Sequence, residues 1–538
     1  MKSVELNLTP EEYYNERLLY EAAGHAVGVD ADGISHVEVV KRSLDSRRGV
    51  RYRCRAEVYM AGETFALPDY ISRYQDCCKG RRVVIVGTGP AGLFAALHAL
   101  ELGLKPIIVE RGKAVENRKK DITSLVRNGR VDGDSNWCFG EGGAGTYSDG
   151  KLYTRSTKRG DVGAVLRKFV EHGADPKIMI DAHAHIGTDR LSPIIAKMRK
   201  TIIGNGGEIH FGCRVADLLV DDEMDVLGVR LADGSSVEGE AVILATGHSA
   251  RDIYELFYSK GWLLEAKPFA MGVRVEHPQQ LINEIQYHSK HFSPLLPPAA
   301  YSLTTQVFPN IQALKHSSTQ ALKQSHNPHG VFSFCMCPGG VIVPAATADG
   351  EQVVNGMSNA SRSSAFANSG IAVTISPEDV PEYTRFGSLA LLRFQQSVEQ
   401  RVFEVAGGGL RAPGQRLTDF CERRSTGRLN RSNYMGEYVH GKLDDMLPPF
   451  VCDCLRQAFR DFGGKMHGFY TEEASLLAVE SRTSSPVRIP RDRDTMQHPQ
   501  LHGLYPCGEG AGYAGGIVSS AIDGINAIER AFKVMSNV

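Results

Sequence analysis

The sequence lacks an excess of either charge. Its 538 residues include 61 lysines and arginines and 62 aspartates and glutamates, so the formal net charge is −1. A protein built mainly to hold nucleic acid or an anionic membrane surface carries a basic excess, and the balance argues against both classes. The hydrophobic share of 42% and the charged share of 23% are those of an ordinary globular protein.

The sequence also lacks a disulfide framework and an unbroken hydrophobic run. Its 11 cysteines are scattered from Cys54 to Cys507, which argues against a compact secreted disulfide scaffold. The first residues include several acids and no apolar segment, so we expect no signal peptide. The longest apolar stretch, 83–100, contains three glycines and a proline, which predicts a strand, turn and helix rather than a membrane span. We expect a cytoplasmic protein with no membrane partner.

Glycine is the residue type in excess. There are 56 glycines in 538 residues, against a usual share of about 7%. Glycine permits a positive φ and lets another group approach the backbone closely. The excess therefore indicates either loose linkers or a backbone that cradles a ligand. The informative clusters lie at 87–92, 140–150 and 508–516.

The first 78 residues are expected to form a small α+β module. Thr9 precedes Pro10 and two glutamates, which is the pattern of a helix N-terminus. Two strands, 34–40 and 50–59, are predicted around a turn at 47–49.

This module contains a cluster of basic residues. Arg51, Arg53 and Arg55 alternate along a predicted strand and would share one of its faces. We interpret them as a solvated face, because no aromatic residues that could stack on bases accompany them. An RNA-binding surface is the alternative.

The most specific local pattern is a dinucleotide-binding fingerprint. An apolar β-branched run at 82–86 is followed by the spacing G-x-G-x-x-G at 87–92. A predicted helix at 93–102 and a second predicted strand at 105–109, closed by Glu110, complete the unit.

Each part of this unit has a physical reason. Gly87 permits the tight turn, Gly89 lets the backbone approach a pyrophosphate, and Gly92 lets helix and strand pack closely. The start of the helix offers free N–H groups and a positive dipole end to phosphates. Glu110 follows Gly92 by 18 residues (110 − 92), near the spacing of about 20 expected for the acid that binds ribose.

Later segments favour FAD as the dinucleotide. Residues 241–247 form an apolar strand ending in Ala-Thr-Gly, which resembles the second nucleotide segment of glutathione-reductase-type FAD folds. Residues 208–238 resemble the β-meander of that fold, and the resemblance places the backbone of Val215 at the adenine.

The C-terminal glycine cluster resembles the third FAD segment. In that segment an acid, here Glu509, binds the ribityl chain. A helix beginning near Gly516 would aim its N-terminus at the flavin pyrimidine edge and stabilise negative charge on reduced flavin. The apolar residues flanking the cluster at 140–150 argue that it is a buried cradle rather than a surface loop.

Longer stretches identify a family. The chain resembles the uncharacterised FAD-dependent dehydrogenases and oxidoreductases of bacteria and plants over nearly its whole length. The matching stretches are 139–152, 187–191, 272–278, 334–340, 355–358 and 508–512. The resemblance implies the fold and the cofactor but no particular substrate.

The predicted fold class is α/β, with a Rossmann-like FAD-binding domain of glutathione-reductase type, a large mixed α+β insert and the small N-terminal module. The expected domains are 1–78, then the first part of the FAD domain at 79–262, a substrate or cap insert at 263–495, and the rest of the FAD domain at 496–538. The residues predicted to bind the cofactor are Gly87, Gly89, Pro90, Ala91, Gly92, Glu110, Arg111, Gly142, Gly143, Ala144, Gly145, Val215, Thr246, Gly247, Gly508, Glu509, Gly510, Gly515, Gly516 and Ile517.

The candidates for catalysis are Cys335, Cys337 and His248. In an extended strand the two cysteines would share one face, as a redox thiol pair or as two buried core residues. His248 follows the 241–247 strand, where it could polarise a substrate or cap the strand. No cysteine lies between Gly87 and Glu110, which excludes the disulfide-reductase arrangement of this superfamily.

Two further sets of residues have open interpretations. His183 and His185 have the spacing of a metal pair, but no further ligands are evident, so we favour a structural role and predict no metal. Arg274, Glu276 and His277 could bind an anionic substrate or pair with one another.

The function hypothesis is an FAD-dependent oxidoreductase that transfers hydride between flavin and a small organic substrate. No second G-x-G-x-x-G follows a strand, so NAD(P)H, if it is the electron donor, would dock transiently. The alternatives are an FAD-containing RNA-modifying or RNA-binding protein and a structural flavoprotein. Nucleic acid is not the expected partner, because the net charge is close to zero.

Overall fold

The computed structural model describes residues 1–154, 159–308 and 328–536. Residues 309–327, within the predicted insert, lie outside the described part of the chain. The α-helices of the described residues are, in chain order, α1 (Pro10–Tyr14), α2 (Glu16–Val27), α3 (Pro90–Glu101), α4 (Val115–Asn128), α5 (Val162–Glu171), α6 (Thr188–Gly204), α7 (Arg251–Lys260), α8 (Gln279–Tyr287), α9 (Ala390–Val405), α10 (Leu417–Cys421), α11 (Pro449–Lys465) and α12 (Ile517–Ser536).

The strands are assembled into separate sheets. They are, in chain order, β1 (Lys2–Leu8), β2 (Ile34–Asp45), β3 (Arg51–Met60), β4 (Arg82–Val86), β5 (Lys105–Glu110), β6 (Glu208–Phe211), β7 (Val215–Val220), β8 (Val226–Leu231), β9 (Ser236–Glu238), β10 (Ala241–Leu244), β11 (Glu265–Ala266), β12 (Phe269–Pro278), β13 (Thr304–Val307), β14 (His329–Cys337), β15 (Val341–Pro344), β16 (Val354–Met357), β17 (Phe366–Ile375), β18 (Arg411–Arg416), β19 (Glu437–His440), β20 (Ser475–Glu480), β21 (Val487–Arg488) and β22 (Leu504–Pro506).

The N-terminal sheet has the order β1-β3-β2 and is antiparallel. The Thr9 side chain accepts a hydrogen bond from the Glu12 N–H, and the Glu12 carboxylate accepts one from the Thr9 N–H, so the predicted cap of α1 is present. Strand β2, predicted to end at residue 40, runs to Asp45, because its pairing with β3 continues as far as Asp45 opposite Arg51.

The central sheet is parallel, with the order β22-β10-β4-β5-β6. Its strand β4 is buried over Val83–Val86, as expected for a strand covered on both faces. Helix α3 begins at Pro90, earlier than the predicted residue 93, because the glycine turn leads directly into it.

The predicted β-meander is wrong at its first strand. Glu208–Phe211 pairs in parallel with β5 and extends the central sheet, whereas β7, β8 and β9 form a separate antiparallel sheet. The local sequence of β6 contains nothing that distinguishes these two partners, and the free edge of β5 decides the pairing.

A seven-stranded mixed sheet has the order β13-β14-β17-β12-β20-β18-β19. Strand β12 is buried along nearly its whole length. Helix α11 packs against β13, β14 and β17, and the core between them contains the stacked rings of Phe459 and Phe469. This sheet faces the central sheet across the cavity described below.

Close packing of α12 on α3 brings two helix starts together. A Cβ atom on Gly524 of α12 would lie 2.0 Å from the Ala91 carbonyl oxygen of α3. Only glycine allows this approach, and it places the beginnings of both helices at one end of the central sheet.

Candidate functional site

One large cavity lies at the carboxyl ends of β4, β5 and β10. Its volume is about 1400 Å³, above the range of about 300–1,000 Å³ typical of a pocket for one small ligand. The predicted cofactor-binding residues that line it are Gly87, Gly89, Pro90, Ala91, Glu110, Arg111, Gly143, Ala144, Gly145, Val215, Thr246, Gly247, Gly508, Glu509, Gly515, Gly516 and Ile517. The three glycine clusters, distant in sequence, therefore meet in one place.

Bare backbone faces this cavity. A Cβ atom on Gly247, Gly515 or Gly516 would meet no other atom within 4 Å, and one on Gly89 would have its nearest neighbour at 4.0 Å. Side chains at these positions would project into the space where a ligand must fit. The geometry fits a group that contacts the main chain itself, such as the pyrophosphate of a dinucleotide.

The starts of α3 and α12 open into the same cavity. The first turns of both helices contain no acidic residue, and the N-cap residue of α3, Gly89, has no side chain that could cap the helix. Their N–H groups and positive dipole ends are oriented to receive an anion.

Glu110 connects two of the glycine clusters. One carboxylate oxygen accepts hydrogen bonds from the N–H and the hydroxyl of Thr88, at 2.9 and 2.7 Å. The other accepts from the N–H groups of Gly112 and Gly140, at 2.9 and 3.1 Å. A buried carboxylate thereby joins the 87–92 turn to the second cluster, and its contact with ribose stays a prediction.

Arg118 of α4 holds the second cluster. Its side chain is fully buried, and its guanidinium donates hydrogen bonds to five main-chain carbonyl oxygens within residues 136–143. It also lies 4.8 Å from the ring centre of Tyr147. Burial lowers the pKa of Arg118. Nothing in the sequence distinguishes this arginine from those that face solvent, and it was not predicted.

Asp523 holds the third cluster. Its carboxylate accepts a hydrogen bond from the Gly508 N–H at 2.7 Å and pairs with Arg491 at 2.7 Å. Arg491 also donates to the Pro506 carbonyl oxygen at 2.9 Å. Each glycine cluster is thus fixed by a buried charged side chain that hydrogen-bonds to its backbone.

Three predicted residues do not line the cavity. Gly92 packs against the turn, where a Cβ atom would lie 1.9 Å from the Gly87 carbonyl oxygen. Gly142 donates to the Thr88 carbonyl oxygen at 2.9 Å, and Gly510 packs against the backbone of Gly247. All three shape the cradle from behind, since the turns they occupy leave no room for a side chain.

His248 and Glu509 meet at the cavity wall. His248 Nδ1 lies 3.5 Å from the Glu509 carboxylate, and both residues line the cavity. The pair could bind a cofactor hydroxyl or exchange a proton with a ligand.

The cysteine pair is divided by a bulge. Cys335 lines the cavity, whereas Cys337 is fully buried. The pairing of β14 with β17 shifts between Phe334 and Cys337, and Cys335 has a φ of 44°. The prediction that the two side chains share one face of a regular strand is therefore wrong.

Arg274, Glu276 and His277 neither pair with one another nor line the cavity. Arg274 is fully buried and pairs with Glu480 at 2.5 Å. Glu276 accepts from the Asn433 N–H at 3.1 Å, and burial raises the pKa of Glu276 to about 7. Both alternatives for this set are wrong, because the three buried side chains have other partners, Glu480, Asn433 and the Phe469 carbonyl oxygen, and none of them lines the cavity.

The histidine pair has separate environments. His183 lines the cavity edge-on to Tyr153, with ring centres 5.0 Å apart. His185 lies 3.3 Å from the Ala360 carbonyl oxygen. Within residues 1–154, 159–308 and 328–536, no group of three or more His, Cys, Asp or Glu residues could hold a metal ion.

The basic strand of the N-terminal module faces outward. Arg51, Arg53 and Arg55 are all exposed on β3, as the alternation predicts. Arg53 pairs with Asp45 at 2.8 Å, and Arg51 lies 4.0 Å from Glu12. Acidic neighbours balance part of this charge.

The far wall of the cavity belongs to the predicted insert, but apart from Cys335 its residues were not predicted. It is formed by residues of α8, β13, β14 and the end of α11, which come together only through the packing of the seven-stranded sheet. Its residues include Glu284, Gln286, His288, Tyr301, Ser302, Thr304, Phe332, Phe334, Lys465, Met466 and His467. They share no local motif by which sequence could have found them.

A buried network of four charges joins the two walls. Arg251 pairs with Glu351 and Glu399, each at 2.6 Å. Arg482, which lines the cavity, pairs with the same two acids, each at 2.9 Å. The two arginines lower the pKa of Glu399 to about 2 against the effect of its burial. The network fixes the start of α7 against the large sheet.

No helix in the described part of the chain is long and apolar enough to cross a membrane.

Comparison with known proteins identifies relatives of each segment. Residues 82–118 match an FAD binding domain, residues 268–483 match the C-terminal domain-like family of FAD-dependent proteins, and residues 1–59 match a domain of unknown function. An uncharacterised protein of Clostridium beijerinckii (strain ATCC 51743 / NCIMB 8052) is 37% identical over 522 residues, which cover 94% of this chain and 93% of that protein.

Solved structures show a weaker likeness. A geranylgeranyl bacteriochlorophyll reductase-like protein from Thermoplasma acidophilum has a TM-score of 0.35 and 11% identity, covering 85% of this chain and 79% of its own. CtdE in complex with FAD has a TM-score of 0.30 and 12% identity, covering 85% of this chain and 84% of its own.

Proposed function

This chain belongs to the family of FAD-dependent proteins, and we propose that it is an oxidoreductase that passes hydride between bound FAD and a small organic substrate. The observation that carries the proposal is the extent of the cavity. One continuous space of about 1400 Å³ joins the glycine cradle to the wall formed by the large sheet. A cavity of this size has room for a second molecule beside the cofactor.

FAD supplies the redox chemistry when bound, and the protein supplies position and electrostatics. We propose a glutathione-reductase-type placement in which the start of α3 receives the pyrophosphate. The adenine then contacts the backbone at Val215, and Glu110 and Glu509 bind hydroxyls of the ribose and the ribityl chain. The N-terminus of α12 stabilises negative charge at the flavin.

The substrate would lie against the far wall. The polar residues Ser302, Thr304 and His467 line that wall, together with the aromatic residue Phe332. A few polar groups on an otherwise apolar surface orient a small molecule. His248, which lies 3.5 Å from Glu509 on the cradle side of the cavity, is the group we propose to exchange a proton with the substrate.

The proposed domain division is 1–78, 79–262, 263–495 and 496–538. It is supported by the sheets, because the strands of the seven-stranded sheet all fall within 269–480 and β22 returns to the central sheet. NAD(P)H, if it is the donor, would dock transiently at the open side of the cavity.

The test is anaerobic reduction of the holoprotein. The purified FAD-loaded protein is mixed with NADH, NADPH and a library of small metabolites, and the flavin absorbance is followed. At least one donor is expected to bleach the bound flavin faster than it bleaches free FAD, which serves as the control. If no donor reduces the bound flavin and removal of FAD unfolds the chain, FAD has a structural role and the proposal is wrong.

A further inference from the structure

Cys335 is held in a backbone conformation that a side chain rarely adopts. Its φ of 44° lies in the left-handed region, which costs a non-glycine residue energy and occurs where the surrounding structure enforces it. A bulge in β14 produces this geometry, and bulges commonly redirect a side chain beside an active site. Here the bulge directs Cys335 into the cavity while Cys337 stays in the core.

The two cysteines remain in contact despite the bulge. The Cys337 thiol donates a hydrogen bond to the Cys335 carbonyl oxygen at 3.2 Å, and each thiol shifts the pKa of the other. The pair is therefore asymmetric, because one sulfur is accessible from the cavity and the other is buried behind it.

Two cations surround the pair. The Arg274 guanidinium lies 2.6 Å from the Cys335 carbonyl oxygen and 3.7 Å from the Cys337 sulfur. The Lys151 ammonium, which also lines the cavity, donates to the carbonyl oxygen of Met336 between the two cysteines. Glu480 balances the charge of Arg274 at 2.5 Å, and of these two cations Lys151 is the one that lines the cavity.

These contacts shift the pKa values of the two thiols in opposite directions. The hydrogen bond from Cys337 lowers the pKa of the Cys335 thiol, and Lys151 and Arg274 lower it further against the effect of burial. The same contact and burial raise the pKa of the Cys337 thiol. A half-buried thiol that lines a cavity and has a lowered pKa, beside a partner that stays protonated, is the arrangement from which a thiol pair is readily oxidised.

We propose that Cys335 and Cys337 form a dithiol–disulfide redox centre that exchanges two electrons with the flavin in the same cavity. Oxidation of the pair forms one S–S bond, breaks the Cys337 S–H bond and passes two electrons to FAD. The reduced cofactor takes up the released proton and one more from solvent, so atoms and charge balance. The inference rests on the proposed function only in needing FAD bound in this cavity.

The test counts electrons. The oxidised holoprotein is titrated anaerobically with dithionite, and flavin absorbance and free thiols are followed together. Wild type is expected to take up four electrons per FAD, two for the flavin and two for the disulfide. Cys335→Ser and Cys337→Ser are each expected to take up two. Cys213→Ser removes another cavity-lining thiol, one with no cysteine partner among the described residues, and should keep the wild-type value.

A second measurement identifies the bond. Peptide mass mapping of the oxidised protein should find residues 335 and 337 joined and lighter by two hydrogens, and the reduced protein should show both thiols free. If Cys337→Ser does not fold because its side chain is buried, Cys335→Ser and the mass map still decide the matter.

Wild-type uptake of two electrons, with both thiols free in the oxidised protein, would overturn the inference and leave the flavoenzyme proposal intact. Failure of the flavoenzyme proposal has a different result: no donor bleaches the bound flavin, whatever the state of the thiols.

Discussion

Replacement of Arg118 tests whether one buried side chain fixes the second glycine cluster. The guanidinium donates to the carbonyl oxygens of Asn136, Trp137, Glu141 and Gly143 at 2.8–2.9 Å and to that of Gly140 at 3.2 Å. Arg118→Met keeps most of the side-chain volume and removes every donor. The five carbonyl groups would then lose their partner.

The expected cost is about 3–5 kcal/mol. A hydrogen bond to a charged group contributes about 1.5–3 kcal/mol, but the five are not additive and the buried charge itself is unfavourable by several kcal/mol. Leaving a buried acceptor without its partner costs about 1–3 kcal/mol, and we expect about 3–5 kcal/mol for the five carbonyl groups together. Because the side chain of Arg118 holds only residues 136–143, most of this cost should appear as disorder of that segment.

Disorder there weakens FAD binding, since the apparent affinity falls with the fraction of protein in the competent conformation. At about 1.4 kcal/mol per factor of ten, we expect the FAD dissociation constant to rise roughly a hundredfold or more. The assay is fluorescence titration of apoprotein with FAD. Arg118→Lys, whose ammonium has three donors for the five carbonyls, should lie between Arg118→Met and wild type.

The matched control is Arg127→Met, an exposed arginine on the same helix. Its loss should change FAD affinity by less than about threefold, the equivalent of surface effects within about 0.5 kcal/mol. If Arg118→Met binds FAD as tightly as Arg127→Met does, the side chain does not hold the cluster and the reasoning is refuted.

Two further predictions concern the turn and a buried acid. Gly92→Ala would place a Cβ atom 1.9 Å from the Gly87 carbonyl oxygen, so the purified variant should contain little FAD. Gly464→Ala in α11, where a Cβ atom meets nothing within 4 Å, should retain FAD and gain up to about 1 kcal/mol. Burial raises the pKa of Glu276 from 4.5 to about 7, so its contribution to stability is greatest below pH 4.5 and is lost as the pH rises to about 7. Relative to Glu276→Gln, the urea midpoint of wild type should therefore fall over that interval; a constant difference would contradict the assignment.

The sequence could predict the nucleotide-binding half of the molecule because its determinants are local. The run at 82–86, the glycine spacing after it and the acid at Glu110 occur within one βαβ unit, and each residue type has a steric or electrostatic reason at its position. The helix starting at Ile517 follows its glycines directly and was predicted for the same reason.

The sequence could not predict what depends on non-local pairing. Glu208–Phe211 has the composition of a strand in either sheet, and its partner is set by the free edge of β5. The orientation of Cys335 depends on a bulge against β17 that leaves no mark in the spacing of the cysteines. The far wall of the cavity assembles from segments more than a hundred residues apart, such as Tyr301 and His467.

The buried charges explain how a glycine cradle keeps its shape. Glycine backbone has more conformations to lose on folding than any other, and a cradle without side chains cannot be packed into place by its own residues. In this protein the side chains of Glu110, Arg118 and Asp523 hydrogen-bond to the N–H and carbonyl groups of the cradle. Arg118 and Asp523 do so without lining the cavity, whereas Glu110 also lines it. A neutral chain can therefore hold an anionic cofactor: the helix starts and bare N–H groups face the cavity, and the side chains behind them hold that backbone in position.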